Sequence, residues 1–211
     1  MIWTERLVET SEGPARLIYN RSGRTAATLV LGHGAGGGPD AWDLETLALA
    51  LPAYDITVIR VEQPWRLAGR KVAPRPEALD RGWLGALDHL RTRHPLVVGG
   101  RSAGARSACR TARKAGAVAC VALAFPLHPP GRPEKSRADE LLGAGVPTLV
   151  VQGERDPFGR PEELPAGVEV SVIPGADHEF TVRRDAPVSQ TDALAMVAES
   201  VAEWIVRTVR R

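Results

Sequence analysis

The chain alternates short apolar runs with helical stretches, and this alternation constrains its fold more than any other feature. The runs are rich in Val, Leu and Ala, and they lie at residues 27–31, 55–62, 95–100, 117–125, 146–153 and 168–175. Near-continuous apolar strands separated by helices are typical of a parallel sheet that is covered on both faces. Two earlier segments, 2–9 and 15–20, flank the turn sequence SEGP and predict a hairpin at one sheet edge. The sequence therefore predicts an α/β fold with a mostly parallel sheet of about eight strands and helices on both faces.

Two stretches carry a clear helical periodicity. One spans residues 77–93, and its apolar stripe consists of Leu79, Trp83, Leu87 and Leu90. The other steps by three and four from Leu194 to Thr208, and Ser189 is a suitable N-cap for it. We interpret both stripes as core packing. The connection between residues 125 and 146 has room for a loop and one helix around SRADELLGAG, so we expect no lid domain.

Length and composition narrow the classes of protein. The 211 residues fit one α/β domain, residues 1–211. A hydrophobic content of 44% and a net charge of +2 are those of an ordinary globular protein, without an electrostatic argument for a nucleic-acid partner. The N-terminus lacks the apolar run of a signal peptide, and the longest apolar run, 117–127, is shorter than the roughly 20 residues of a membrane helix. We therefore expect a soluble, cytoplasmic protein without a membrane partner.

The cysteine and histidine content points away from metal sites and disulfides. Cys109 and Cys120 are the two cysteines, and both lie in apolar surroundings. We predict that they are buried small hydrophobic side chains in a reducing compartment. No spacing of His, Cys and carboxylate residues resembles a ligand set. The expectation is a protein with neither a metal nor a cofactor.

A glycine-rich stretch, LVLGHGAGGGPDAW at residues 29–42, follows the first of the apolar runs. Gly32, Gly34 and Gly37 match the GxGxxG turn that binds the pyrophosphate of a dinucleotide. Glu62 lies 28 residues beyond Gly34, a somewhat long spacing for the carboxylate that holds the ribose in such proteins. Glycines after a histidine instead bring backbone N–H groups close to a developing oxyanion in hydrolases. The stretch by itself leaves both functions open.

A second glycine motif favours the hydrolase. Residues 100–104 read GRSAG, a G-x-S-x-G pattern between an apolar run and a helical stretch. A serine on a sharp strand-to-helix turn needs residues without bulk two positions before and after it, because the turn presses their Cα atoms against neighbouring backbone. Gly100 and Gly104 meet that requirement. The context predicts Ser102 as a nucleophile.

Activation of a serine requires a base that a carboxylate orients. His178 follows the last apolar run in VIPGADHEF, and Asp156 follows the preceding run in VVQGERDPFG. Both lie beyond the carboxyl end of a predicted strand, the edge at which an open α/β sheet binds its ligands. Of the neighbouring carboxylates, Glu154 would point to the other side of an extended chain, and Asp177 would not easily reach the imidazole edge. The predicted catalytic residues are therefore Ser102, Asp156 and His178, which a nucleotide-binding function would leave unexplained.

The motifs strand-HGAGG, strand-GxSxG-helix, strand-GxxD and strand-GADH, in this order, resemble the α/β-hydrolase superfamily over most of the chain. More narrowly, GGRSAGAR and FPLHPP are similar to a small dienelactone-hydrolase-like group, which includes a testis-expressed hydrolase-like protein and a subunit of a histone acetyltransferase complex. The resemblance implies an α/β-hydrolase fold and a serine hydrolase that acts on a small ester, thioester or lactone through an acyl-enzyme. Because one relative is a complex subunit, the alternative is a catalytically silent interaction protein.

The resemblance also assigns roles around the nucleophile. It implies that the Ala103 N–H is one oxyanion donor and that the second is Ala35, with Gly36 the next candidate. Candidates for lining a substrate pocket or shaping its loops are His33, Trp65, Arg101 and His128. A tryptophan packed under its own loop is an equally good account of Trp65. The expected partner is a small acyl substrate, and the sequence indicates neither its identity nor the oligomeric state.

Overall fold

The computed structural model describes residues 3–210, which form one eight-stranded sheet in the spatial order β1-β2-β4-β3-β5-β6-β7-β8. The strands are β1 (Trp3–Thr10), β2 (Gly13–Asn20), β3 (Ala27–Gly32), β4 (Ile56–Glu62), β5 (Leu96–Arg101), β6 (Ala119–Leu123), β7 (Thr148–Gly153) and β8 (Glu169–Ile173). Strand β2 pairs antiparallel with β1 and β4, whereas every neighbouring pair from β4 to β8 is parallel. The predicted mostly parallel sheet with a hairpin at one edge is confirmed.

Helices cover both faces of this sheet, as predicted. Their bounds are α1 (Trp42–Ala50), α2 (Pro64–Leu67), α3 (Pro76–Leu87), α4 (Ala103–Thr111), α5 (Ala138–Leu142) and α6 (Gln190–Val209). α1 and α6 pack on one face, while α3 and α4 pack on the other. The Ser189 side chain caps α6 by accepting a hydrogen bond from the Asp192 N–H.

The central strand β3 shows why the sheet is buried on both sides. All its residues are buried. Leu29 and Leu31 belong to the apolar cluster under α1 and α6, and Val30 between them belongs to the cluster under α3 and α4. Successive side chains of a strand point to opposite faces, so a continuous apolar run supplies both cores at once.

Two elements differ from the sequence prediction. The helical stripe over 77–93 ends as a helix at Leu87, and Leu90 packs against the same core from the turn that follows. Strand β8 is an edge strand of which only Ile173 is buried, because no described strand pairs with its outer side. The apolar periodicity of a sequence indicates which face packs against the core. It does not indicate where a helix ends or which strand lies at the edge of a sheet.

The strand order reverses direction at the middle of the sheet. β3 lies between β4 and β5: the connection from β3 runs to β4 on one side, and the next connection, from β4, returns past β3 to β5 on the other side. Open α/β sheets bind ligands at such a reversal. The connection from β6 to β7 contains α5 and a short 3₁₀ turn at Pro133–Lys135, as expected for a fold without a lid domain.

Candidate active site

Ser102 lies on the sharp turn between β5 and α4. Its backbone has φ 51° and ψ −111°, a region that residues other than glycine rarely adopt. Two backbone hydrogen bonds stabilise this conformation: the Ser102 N–H donates to Leu123 O at 3.0 Å, and the Arg106 N–H donates to Ser102 O at 3.1 Å. The turn therefore presents the serine side chain at the carboxyl edge of the sheet.

The two motif glycines let this turn press against the end of β3. A Cβ atom added to Gly100 would lie 2.5 Å from the Gly32 carbonyl oxygen, and one added to Gly104 would lie 2.8 Å from the His33 carbonyl oxygen. Both neighbours are backbone atoms, which do not move aside easily. The close approach brings the glycine-rich loop after β3 next to Ser102, and a Cβ on Gly34 would lie 3.6 Å from the Ser102 Cβ.

The structure brings Ser102, His178 and Asp156 into one hydrogen-bonded line. His178 Nε2 lies 3.0 Å from Ser102 Oγ, and His178 Nδ1 lies 2.8 Å from Asp156 Oδ2. An ionised carboxylate only accepts hydrogen bonds, so the proton on the imidazole is assigned to Nδ1 and Nε2 is left to accept from the serine hydroxyl. Ser102 and His178 are both partly exposed, whereas Asp156 is fully buried.

Buried hydrogen bonds hold the Asp156 carboxylate in place. Oδ2 also accepts from Gln152 Nε2 at 2.9 Å, and Oδ1 accepts from the Phe158 N–H at 2.8 Å. The Gln152 amide further bonds to the backbone of Phe125 and Gly159, so its own position is fixed. Buried and charge-assisted bonds of this kind fix the orientation of the carboxylate.

Sequence reasoning missed two residues that support the imidazole. Gln152 is a fully buried amide inside the apolar run TLVVQG, and a polar side chain at such a position was a signal that it bonds to something specific. The Phe158 ring lies against the His178 ring with centroids 4.2 Å apart. No pattern in the sequence distinguished Phe158 from an ordinary loop residue.

The rival carboxylates are occupied elsewhere. Glu154 Oε2 accepts from the Gly175 N–H at 2.6 Å, and Asp177 Oδ1 accepts from the Glu179 and Thr181 N–H groups at 2.9 Å each. Glu62, the carboxylate of the nucleotide-binding alternative, accepts from Arg16 Nε at 2.8 Å. The first two carboxylates hold turns beside the site, and the third lies in an ion pair between β2 and β4.

His33 is buried and fixes the glycine-rich loop. Its Nδ1 lies 2.9 Å from Gly34 O, and its Nε2 accepts from the Gln63 N–H at 3.1 Å. Only the neutral ring with its proton on Nδ1 satisfies both partners. Burial lowers the pKa of His33, which favours the same form. The side chain thus ties the loop after β3 to the segment that follows β4.

The three residues predicted as oxyanion donors belong to two segments, one that follows Ser102 directly and one that follows Gly34. Ala103 is the first residue of α4, so its N–H has no partner within the helix. Ala35 and Gly36 form the exposed tip of a turn that the Gly37 N–H closes onto Gly34 O at 3.5 Å. The donor roles of Ala103, Ala35 and Gly36 remain a prediction.

The remaining pocket candidates are held by contacts of their own. Trp65 is 5% exposed and packs against the His33 ring with centroids 5.5 Å apart, the arrangement of a tryptophan under its own loop. His128 Nδ1 lies 3.0 Å from Pro129 O and His128 Nε2 lies 3.1 Å from Glu163 Oε1, outside the hydrogen-bonded line of the serine. The buried Arg101 guanidinium lies 3.2 Å from Asp43 and donates to His178 O.

Geometry of this kind can remove a proton from a serine hydroxyl and return it to a leaving group. Between residues 3 and 210 there is no group of three or more His, Cys, Asp or Glu side chains placed to hold a metal ion. None of the helices in that range has the length and apolar character needed to cross a membrane.

Comparison with known proteins gives one family and many structures of the same fold. The family described as Alpha/beta hydrolase domain matches residues 25–206 of the chain. No curated protein matches the chain in sequence. Among solved structures, it is similar to a dienelactone hydrolase from Anabaena variabilis, with a TM-score of 0.74, 19% identity, and coverage of 99% of this chain and 98% of that one.

Two further structures show the same likeness. An α/β serine hydrolase without a lid from Xanthomonas campestris has a TM-score of 0.73 at 17% identity, with 96% of this chain and 94% of that chain covered. Est1E from Butyrivibrio proteoclasticus has a TM-score of 0.72 at 14% identity, with 98% and 99% covered. At sequence identities this low, the structural similarity establishes a shared fold alone.

Proposed function

Because the chain belongs to the Alpha/beta hydrolase domain family, we propose that it is a serine hydrolase that cleaves a small ester, thioester or lactone through an acyl-enzyme. The observation that carries the proposal is the line from Ser102 Oγ through the His178 imidazole to Asp156, with contacts of 3.0 and 2.8 Å. Such a line is the arrangement that activates a serine hydroxyl at neutral pH.

In the proposed reaction, His178 Nε2 takes the Ser102 proton while Oγ attacks the substrate carbonyl carbon. The Ala103 and Ala35 N–H groups, with Gly36 as the next candidate, stabilise the oxyanion. His178 then gives its proton to the departing alcohol or thiol, and the acyl group stays on Ser102. A water molecule, deprotonated by the same imidazole, attacks this ester, and the proton returns to Ser102 as the acid leaves. Asp156 orients the ring and stabilises its positive charge throughout.

The substrate class rests on the family and on the partly exposed site. Two structural neighbours are named as a dienelactone hydrolase and an esterase domain, which makes small lactones and esters the first substrates to screen. The motifs GGRSAGAR and FPLHPP support a narrower relationship to the dienelactone-hydrolase-like group that they resemble. We also propose a cytoplasmic location, in keeping with the two buried free thiols of Cys109 and Cys120.

Labelling with a fluorophosphonate tests the proposal, because the reagent reacts with activated serines. We expect the intact mass of the wild-type protein to increase by one adduct, and we expect Ser102→Ala and His178→Ala to abolish labelling while leaving the circular dichroism spectrum unchanged. Ser11→Ala is the matched control, since Ser11 is exposed in a turn between β1 and β2. A folded wild-type protein that takes up no label would contradict the proposal and would favour a catalytically silent interaction protein.

A further inference from the structure

The residue between the motif glycine and the nucleophile, Arg101, joins three parts of the site. Its side chain is 10% exposed, and its Nη2 donates a hydrogen bond to the carbonyl oxygen of His178 at 3.1 Å. The same guanidinium places Nε 3.2 Å from Asp43 Oδ2 in the first turn of α1. Nη2 also lies 3.9 Å from the exposed carboxylate of Glu179. The Arg101 side chain therefore connects the end of β5, to which it belongs, with α1 and with the loop that carries the imidazole.

Asp43 is an unusual counterion for this arginine. Its side chain is fully buried, and among residues 3–210 neither carboxylate oxygen has a hydrogen-bond partner, so the contact with Arg101 is one of charge. Burial raises the pKa of Asp43, while the positive charge of Arg101 and the backbone N–H groups of the first helical turn lower it. A buried carboxylate with so little hydrogen bonding depends on its cation, and in return it holds that cation in place.

A second side chain of α1 reaches the same loop. The Trp42 indole Nε1–H donates to the carbonyl oxygen of Glu179 at 2.8 Å. Two successive carbonyl groups, those of His178 and Glu179, therefore accept hydrogen bonds from side chains outside their own loop. This anchorage is separate from the bonds that the His178 ring makes with Ser102 and Asp156.

We propose that Arg101 is a positioning residue for His178: with Asp43 as its buried counterion, it fixes the backbone of the His178 loop at the distance from the nucleophile that the Ser102–His178 hydrogen bond requires. The inference rests on the proposed function. It replaces the substrate-binding role that the sequence suggested for Arg101, because Asp43 already neutralises the guanidinium and His178 O occupies one of its donors.

The geometry explains why this position uses arginine. The guanidinium donates to His178 O with one nitrogen while another lies beside Asp43, whereas the ammonium of a lysine is a single point on a flexible stem. Lysine would preserve the charge beside Asp43 and lose the simultaneous contact with the His178 loop. Since a displacement of about 1 Å in a catalytic group can cost roughly 10²-fold in rate, a loosened loop should slow serine acylation.

The test compares two variants that remove the bridge in different ways. Arg101→Lys keeps a cation for Asp43, and the double variant Asp43→Asn with Arg101→Met removes both charges, so that neither variant leaves a buried charge unpaired. Trp42→Phe removes only the indole donor from a half-exposed side chain. Arg207→Lys is the control, since Arg207 of α6 lies in an exposed ion pair with Glu169 of β8.

Kinetics separate positioning from substrate binding. We expect Arg101→Lys and the double variant to lower the fluorophosphonate labelling rate and kcat by about 10- to 100-fold, with KM for a neutral ester changed less than about twofold. We expect Trp42→Phe to have a smaller effect in the same direction. A rise in KM confined to an ester that carries a carboxylate would overturn the inference and assign Arg101 to substrate binding.

A spectroscopic readout does not depend on turnover. In wild-type protein, the His178 Nδ1–H that bonds to Asp156 should give a slowly exchanging imidazole proton signal, and in both Arg101 variants it should exchange faster and broaden. If the wild-type protein is not labelled but the signal still depends on Arg101, the proposed function fails and the positioning role stands. Labelling at the wild-type rate with an unchanged signal in both folded variants would overturn the inference.

Discussion

The partners of the two ring nitrogens favour opposite protonation states for His33 and His128. His33 faces a carbonyl oxygen and an N–H group, which suit the neutral ring. His128 faces a carbonyl oxygen and a carboxylate, which both accept, so the charged ring suits it. The hydrogen bond to Pro129 O, with Glu163 adding to it, raises the pKa of His128.

Replacement of His33 by Phe should destabilise the protein and should make its free energy of unfolding depend less on pH below about pH 6.5. The change leaves the buried Gln63 N–H without its partner, which costs about 1–3 kcal/mol, and removes the shorter of the two hydrogen bonds to Gly34 O. Because burial lowers the folded-state pKa of His33, only the unfolded chain takes up this proton as the pH falls below about 6.5, and the wild type loses stability there. Urea unfolding at pH 5 and pH 7.5 measures both effects. A variant whose stability falls between these pH values as steeply as that of the wild type would contradict the assignment.

Replacement of His128 by Gln should show the reverse dependence. Its raised folded-state pKa means that the contribution of His128 to stability is fully present below about pH 6.5 and is lost as the pH rises through the folded value. Glu163 is 41% exposed, so solvent screens the pair and the contribution should stay below about 1 kcal/mol. The difference in unfolding free energy between variant and wild type should be larger at pH 6 than at pH 9. An equal difference at both pH values would show that His128 is uncharged.

Sequence reasoning selected Ser102, Asp156 and His178, which the structure brings together, because each follows a strand in a recognisable order. It missed the parts played by Gln152 and Asp43. The amide of Gln152 within an apolar run signals a specific partner without identifying it, and Asp43 is an ordinary helix position until its tertiary neighbours are known. Arg101 was selected for its charge alone. Its contact with a buried Asp43 and with His178 O depends on two distant segments that no local pattern joins.

At the level of elements, the strand-turn-helix unit around Ser102 is determined by close approach to β3. A Cβ on Gly104 would lie 2.8 Å from the His33 carbonyl oxygen, so either the helix or the loop must move. We expect Gly104→Ala to cost about 1–3 kcal/mol or more, because overpacking against backbone has no easy relief. It should also slow fluorophosphonate labelling, since the same shift displaces the serine turn from the loop.

The matched control for Gly104→Ala is Gly23→Ala. A Cβ on Gly23 has no heavy atom within 4 Å among its described surroundings, and that substitution should leave both stability and labelling unchanged. Equal effects of the two changes in denaturant titrations would show that the contact with β3 is not what requires glycine at position 104. Here sequence reasoning anticipated the requirement for small residues, whereas the identity of the opposing backbone comes from the sheet order.

On the scale of the whole molecule, the two cores share one sheet. Trp83 lies in the core under α3 and α4, and Trp204 lies in the core under α1 and α6. Because every central strand contributes side chains to both, loss of one core removes the support of the other. We expect a single cooperative unfolding transition.

Tryptophan variants test this coupling. Urea unfolding followed by fluorescence in Trp83→Phe and in Trp204→Phe should give curves with one midpoint each, and each should coincide with the far-ultraviolet circular dichroism of the same variant. Different midpoints for the fluorescence and circular dichroism curves of one variant would contradict the prediction and would indicate parts of the chain that unfold independently.

The partial exposure of Ser102 and His178, next to the exposed turn at Ala35 and Gly36, also bears on where the acyl group of the proposed intermediate goes. We expect bulk water to reach a group on this partly exposed serine, so that an acceptor alcohol or amine competes with water only if it is itself bound beside the serine. Partitioning between hydrolysis and transfer is then set by acceptor affinity and not by exclusion of solvent. If the proposed function is right, transfer to an added alcohol or amine would require a binding site for that acceptor and not a cover over the serine.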